Sequence, residues 1–108
     1  MAAHRPRAAL LLSIAIAVAG CKRPAMASRA QCERLFDRFV DLELSEDRRA
    51  PALTSEDRAR LRATLATESL AEPAVRRLRT RCESDVTEAQ YACALQAPSP
   101  GAWLGCMR

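Results

Sequence analysis

Histidine is nearly missing from this chain: His4 is the only one in 108 residues. Beyond residue 20 there is no imidazole, which excludes Ser-His-Asp and Cys-His nucleophile systems and histidine-ligated zinc from that part of the chain. Glycine is almost as scarce, three in all, with Gly101 and Gly105 the only ones after residue 20. Two isolated glycines cannot build a glycine-rich phosphate cradle, so enzymes that depend on one are excluded and no nucleotide ligand is expected. The aromatic residues are Phe36, Phe39, Tyr91 and Trp103 alone. No stretch alternates β-branched with polar residues, so nothing argues for strands and the expected fold class is all-α. Spanning apolar runs are lacking too. The stretch Ala8 to Gly20 has thirteen residues and as a helix would rise only about 20 Å, short of the roughly 30 Å hydrocarbon core of a bilayer.

What is present at the start of the chain is an export pattern. Arg5 and Arg7 form a basic opening, Ala8 to Val18 an apolar stretch, and the small residues Ala19 and Gly20 lead into Cys21. This resembles a bacterial lipoprotein signal with its lipobox, Val18 standing where that family usually has leucine. The resemblance implies that the Cys21 thiol receives a diacylglyceryl group, that residues 1–20 are removed, and that the new amino terminus is acylated. Cofactors other than this covalent lipid are not expected. Several acyl chains, at about 0.8 kcal/mol per buried methylene, hold a protein on a membrane where one myristoyl chain is marginal. Lys22 is not the aspartate that retains such proteins in the inner membrane of enteric bacteria. By the resemblance, then, the protein is expected in the outer membrane, facing the periplasm or the cell surface. An ordinary cleavage site at Ala25-Met26-Ala27 is the competing reading.

Removal of residues 1–20 leaves 88, with fifteen basic and thirteen acidic side chains and a charge reduced from +4 to +2. The signs are interspersed, as on a solvated helical surface, and no nucleic-acid footprint emerges. One small domain fits this length, with a core that is marginal without staples. Residues 21–27 are expected to form a lipidated tether and residues 28–108 the helical domain.

Within residues 28–108, local signals mark four or five short helices. Ser28 and Gln31 fit a capping box. Cys32, Leu35 or Phe36, Phe39 and Leu42 then recur on one face of a first helix. The charged run Ser45 to Pro51 reads as an exposed, mobile connection. Thr54 caps a second helix with Asp57 in its first turn and Leu61 and Leu65 on its buried side. Pro73 suits the start of a third segment carrying Val75, Leu78 and Cys82, either separate from the second or joined to it as a kinked rod. Val86 to Tyr91 combines a Thr87/Gln90 capping box with a hydrophobic staple and opens a fourth helix bearing Cys93 and Leu95. Ala97 to Pro100 breaks it, and Ser99 with Pro100 restarts a short last helix with Trp103, Leu104 and Cys106.

Four cysteines remain once Cys21 is lipidated: Cys32, Cys82, Cys93 and Cys106. An even number in a small exported domain argues for two disulfides, in any of three pairings. If the first helix and the second/third unit form an antiparallel hairpin, Cys32 meets Cys82, and Cys93 and Cys106 close the C-terminal hairpin. These loops of about 50 and about 14 residues would contribute roughly 4 and 3 kcal/mol. A four-thiolate zinc site or a thioredoxin-like site wants close cysteine pairs, and no CxxC occurs. Taken together, the lipobox, Gln31-Cys32-Glu33-Arg34, Arg81-Cys82-Glu83, Glu88 to Cys93 and the terminal Cys106 resemble small four-cysteine helical lipoproteins of myxobacterial type. That resemblance implies no activity and carries over no functional residue.

With catalytic equipment so sparse, the expected function is a non-enzymatic, membrane-anchored envelope module that binds or holds another envelope protein. An inhibitor or immunity protein acting on an envelope enzyme or toxin is the alternative. Trp103, Tyr91 and Leu104 are candidates for a partner-contact patch, with the core as their competing location. The arginines from Arg76 to Arg81 form either a solvated face or a grip for anionic lipid headgroups. A hydrolase using paired carboxylates such as Asp37 and Asp41, one helical turn apart, is a third reading, but pairs at this spacing read better as surface charges. No catalytic or metal-binding residue is assigned.

Overall fold

The computed structural model describes residues 23–108; Cys21 and the export segment lie outside the described residues. Five α-helices follow in order: α1 (Arg29–Glu46), α2 (Ser55–Glu68), α3 (Pro73–Asp85), α4 (Glu88–Leu95) and α5 (Pro100–Cys106). Among the described residues there is no strand, and the fold is a small all-α one stapled by two disulfides.

Each helix starts where a side chain or a proline takes care of its free backbone donors. Ser28 N–H donates to Gln31 Oε1 at 2.8 Å while Gln31 N–H donates to Ser28 Oγ at 3.2 Å. Thr87 and Gln90 repeat the exchange at 3.0 and 3.1 Å. Thr54 and Ser99 accept from the third residue beyond them. The start of α3 has no such bond, and Pro73 in its first turn removes one orphan donor instead. Glu72, extended at φ −74°, ψ 122°, and a 3-10 turn over Ser69–Ala71 separate α2 from α3. The two are distinct helices.

α1, about 27 Å long for its 18 residues, is the axis of the domain. Leu35, Phe39 and Leu42 face a larger core shared with Val75, Leu78, Val86, Ala94 and Trp103. Val40 faces a second cluster with Ala50, Leu61 and Leu65, and Phe36 packs against both. Because α1 has α2 on one side and α4 and α5 on another, it buries a wider stripe than one apolar face. Val40, outside that face, is fully buried. On α4 the small Ala94 is the buried residue and Leu95 is exposed.

Two features depart from the sequence expectations and a third, a kink in α3, is not among them. The Ser45–Pro51 connection is not a free loop. Ala50 is buried in the second cluster, its carbonyl accepts from Arg58 Nη2 at 3.0 Å, and Arg49 clamps Asp47 through backbone and guanidinium at 2.8 to 3.0 Å. Helix α3 kinks at Arg81, whose φ of −138° and ψ of 18° are not helical. The tether expected up to Ala27 is already part of the fold from Ala25. Ala27 N–H donates to the Val86 carbonyl at 2.8 Å and Glu88 N–H to the Ala25 carbonyl at 2.9 Å, flanking an antiparallel bridge between Met26 and Thr87. The second bond occupies a free donor at the start of α4. Ala27 itself is buried.

Candidate functional site

The four described cysteines form two disulfides. Cys32 in the first turn of α1 is bonded to Cys82 near the end of α3, with Cα atoms 5.9 Å apart. Cys93 of α4 is bonded to Cys106 of α5, at 5.7 Å. The first bridge exists because α1 and α3 pack antiparallel, so the start of one lies beside the end of the other. Both bridges leave no described thiol as nucleophile or metal ligand. The first lies at the end of the domain where the chain arrives from Ala25–Ala27.

Trp103, Tyr91 and Leu104 do not form an exposed patch. Trp103 is fully buried, its ring centroid 4.8 Å from that of Phe39 at a tilt of 56°, and its Nε1–H donates to the Leu35 carbonyl at 3.2 Å. A buried indole needs both an apolar bed and an acceptor for its N–H, and α1 offers both. Trp103 is therefore a core residue and not a contact residue. Tyr91 and Leu104 are half-buried against the same core. The Tyr91 hydroxyl accepts from Arg34 Nη1 at 3.4 Å.

The carboxylate pair is likewise committed. Arg62 of α2 lies 2.9 Å from Asp41 and 3.8 Å from Asp37, so both acids serve as an exposed clasp between α1 and α2. A second acidic group, Glu43, Glu68 and Glu72, borders a recess of about 190 Å³ beside Ser69. Burial, reinforced by Glu46, pushes the Glu43 carboxyl above its usual value. Asp47 goes the other way: the side-chain and backbone hydrogen bonds from Arg49 hold its carboxyl down at about 2. Among the described residues, no group of three or more His, Cys, Asp or Glu is arranged to hold a metal ion.

An opening of about 430 Å³ lies over the Cys32–Cys82 bridge between the start of α1 and the kinked end of α3, and Arg29, Arg79 and Arg81 border it. The sequence drew attention to Arg76 through Arg81 as a group; the fold divides them. Arg76 Nη1 turns away to the Leu70 carbonyl at 3.1 Å. Arg79 stacks over Phe36, 4.5 Å from the ring centroid. Arg29, far away in sequence, joins Arg79 and Arg81 across the disulfide. No local sequence pattern carries that meeting; the only signal was the Cys32–Cys82 pairing, which brings the two segments together.

Compared with known protein families, curated proteins and solved structures, the chain finds no match.

Proposed function

We propose that this chain is an envelope lipoprotein, acylated on Cys21, whose helical domain is a non-catalytic module that binds or holds another component of the cell envelope. The docking of Ala25–Ala27 onto Val86–Glu88 carries the reading. Cleavage after Ala27 would remove a buried residue and two backbone hydrogen bonds. At about 1 kcal/mol for each bond, that is a substantial part of a stability of order 5 to 15 kcal/mol. Cleavage before Cys21 keeps every one of these contacts. It also leaves a short tether, Lys22 to Pro24, because the fold takes hold of the chain at Ala25. Four residues from Cys21 to Ala25 reach at most about 14 Å, so the lipid would keep the domain against the bilayer surface. The commitment of Asp37 and Asp41 to Arg62 supports the non-catalytic part of the reading. By the identity of Lys22, the outer membrane is its proposed location.

Metabolic labelling with an alkyne fatty acid, followed by mass analysis of the N-terminal peptide, tests this. The expected product is an acylated peptide beginning at Cys21, with the label lost in Cys21→Ser. An unmodified terminus at Ser28 refutes it.

A further inference from the structure

We propose that the cavity over the Cys32–Cys82 bridge binds a phosphate-type anion, and that in the anchored protein this anion is the phosphate of an anionic lipid headgroup. The headgroup assignment rests on the lipoprotein reading; the anion site does not.

Three observations meet at this place. The first concerns geometry. On a straight α-helix, residues two apart point about 200° from each other, so Arg79 and Arg81 would serve opposite faces. At Arg81 the backbone is not helical, and Arg79 and Arg81 both border one opening of about 430 Å³ together with Arg29 from the facing helix.

The second concerns free donors. Arg34, Arg38, Arg49, Arg58, Arg60, Arg62 and Arg76 each donate a side-chain hydrogen bond to the protein. Among the described residues, seven arginines give no side-chain hydrogen bond, Arg23, Arg29, Arg48, Arg77, Arg79, Arg81 and Arg108, and of these Arg29, Arg79 and Arg81 border the opening. Arg29 and Arg81 approach Glu33 and Asp85 only at 3.9 and 3.5 Å, well beyond the 2.7 to 2.9 Å typical of a charge-assisted bond. Arg79 uses the face of its guanidinium on Phe36, and stacking of this kind leaves the in-plane N–H fork available. Such forks match the oxygens of a phosphate. Glu33 and Glu83 also border the opening; they keep its net charge low, so binding depends on guanidinium geometry more than on bulk charge.

The third is position. Ser28 and Arg29 follow directly on Ala27, whose N–H is bonded to Val86, and Ser84 borders the opening. The cavity is thus at the end of the domain from which a tether of Lys22 to Pro24 would leave. Arginines held within a Debye length of roughly 8 to 10 Å of an anionic bilayer are attracted to its headgroups.

The test uses the full chain, purified from membranes in neutral detergent, with the arginine Nε–Hε signals followed by NMR. Inorganic phosphate is titrated in one arm. In the second, the protein is placed in bilayer discs of phosphatidylcholine alone or with phosphatidylglycerol. Arg29, Arg79 and Arg81 are expected to shift with phosphate and with phosphatidylglycerol, and not with phosphatidylcholine alone. Arg81→Gln, at an exposed position, should weaken phosphate binding about tenfold, in keeping with the loss of one charged hydrogen bond. Arg62→Gln, remote from the cavity, should leave binding unchanged. Shifts with phosphate alone overturn the headgroup assignment, and equal weakening by Arg62→Gln overturns the site in favour of general charge. Silent signals in both arms overturn the proposal. Mass analysis of the same preparation reports acylation separately, so a missing lipid and an empty cavity are distinguishable.

Discussion

Trp103 is the largest fully buried side chain among the described residues, and its replacement gives a graded test of that placement. The indole is fully buried, packs on Phe39 and donates to the Leu35 carbonyl. Trp103→Ala removes all three contributions and opens a cavity where α5 meets α1. Substitutions of this kind cost about 3 to 5 kcal/mol, against a total of about 5 to 15 kcal/mol for a domain. Trp103→Phe keeps a ring against Phe39 but loses the N–H and part of the volume. Its cost is about 2 kcal/mol, divided between the hydrogen bond at about 1 and the partial cavity. At roughly 4 to 8 °C per kcal/mol for a domain of this size, Trp103→Phe should lower the thermal midpoint by about 8 to 16 °C. By the same conversion Trp103→Ala should lower it by about 12 to 40 °C, which unfolds a domain at the bottom of that stability range. Urea and thermal unfolding followed by far-UV circular dichroism read both variants without needing the tryptophan itself. A midpoint for Trp103→Ala within about 0.5 kcal/mol of the parent, the range of ordinary surface substitutions, would refute the buried placement and return Trp103 to the surface patch.

The bridges and the acids give further outcomes. Cys32→Ala with Cys82→Ala should cost about 2 to 5 kcal/mol, and more than Cys93→Ala with Cys106→Ala, because the first bridge spans 50 residues and the second 13; a melting curve indifferent to reduction would contradict this, and a Cys82–Cys93 peptide in non-reducing mapping would contradict the pairing. Asp47, held at about 2 in the folded chain, contributes its stabilisation above its unfolded pKa and loses it as pH falls through about 2. Carboxyl NMR should place its midpoint there, and Arg49→Gln should move that midpoint up toward the ordinary 3.9. Glu43 is raised, so its charged form burdens the fold at neutral pH. Glu43→Gln should be neutral or stabilising by up to about 0.5 kcal/mol at pH 7, with the difference vanishing as pH falls through the Glu43 pKa.

Much of the secondary structure was legible because its causes are local. A capping box joins residues three apart, as in Ser28 with Gln31 and Thr87 with Gln90, and Pro73 and Pro100 act on their own turns. Leu35, Phe39 and Leu42 could be placed on one face of α1 by spacing alone. The even cysteine count in residues 28–108 likewise pointed to two staples before any geometry was known. Which cysteines pair is a different matter, since three choices are compatible with the same count; the antiparallel packing of α1 and α3 decides it. Tertiary packing also decided the burial of Val40 between α1 and α2, the tuck of Ala50, and the place of Trp103 in the core. Residues some sixty positions apart in sequence, Ala25 to Ala27 and Val86 to Glu88, dock by backbone hydrogen bonds that leave no mark in side-chain pattern. The meeting of Arg29 with Arg79 and Arg81 has the same origin, because a kink and a facing helix change where side chains converge without changing the local composition that a sequence records.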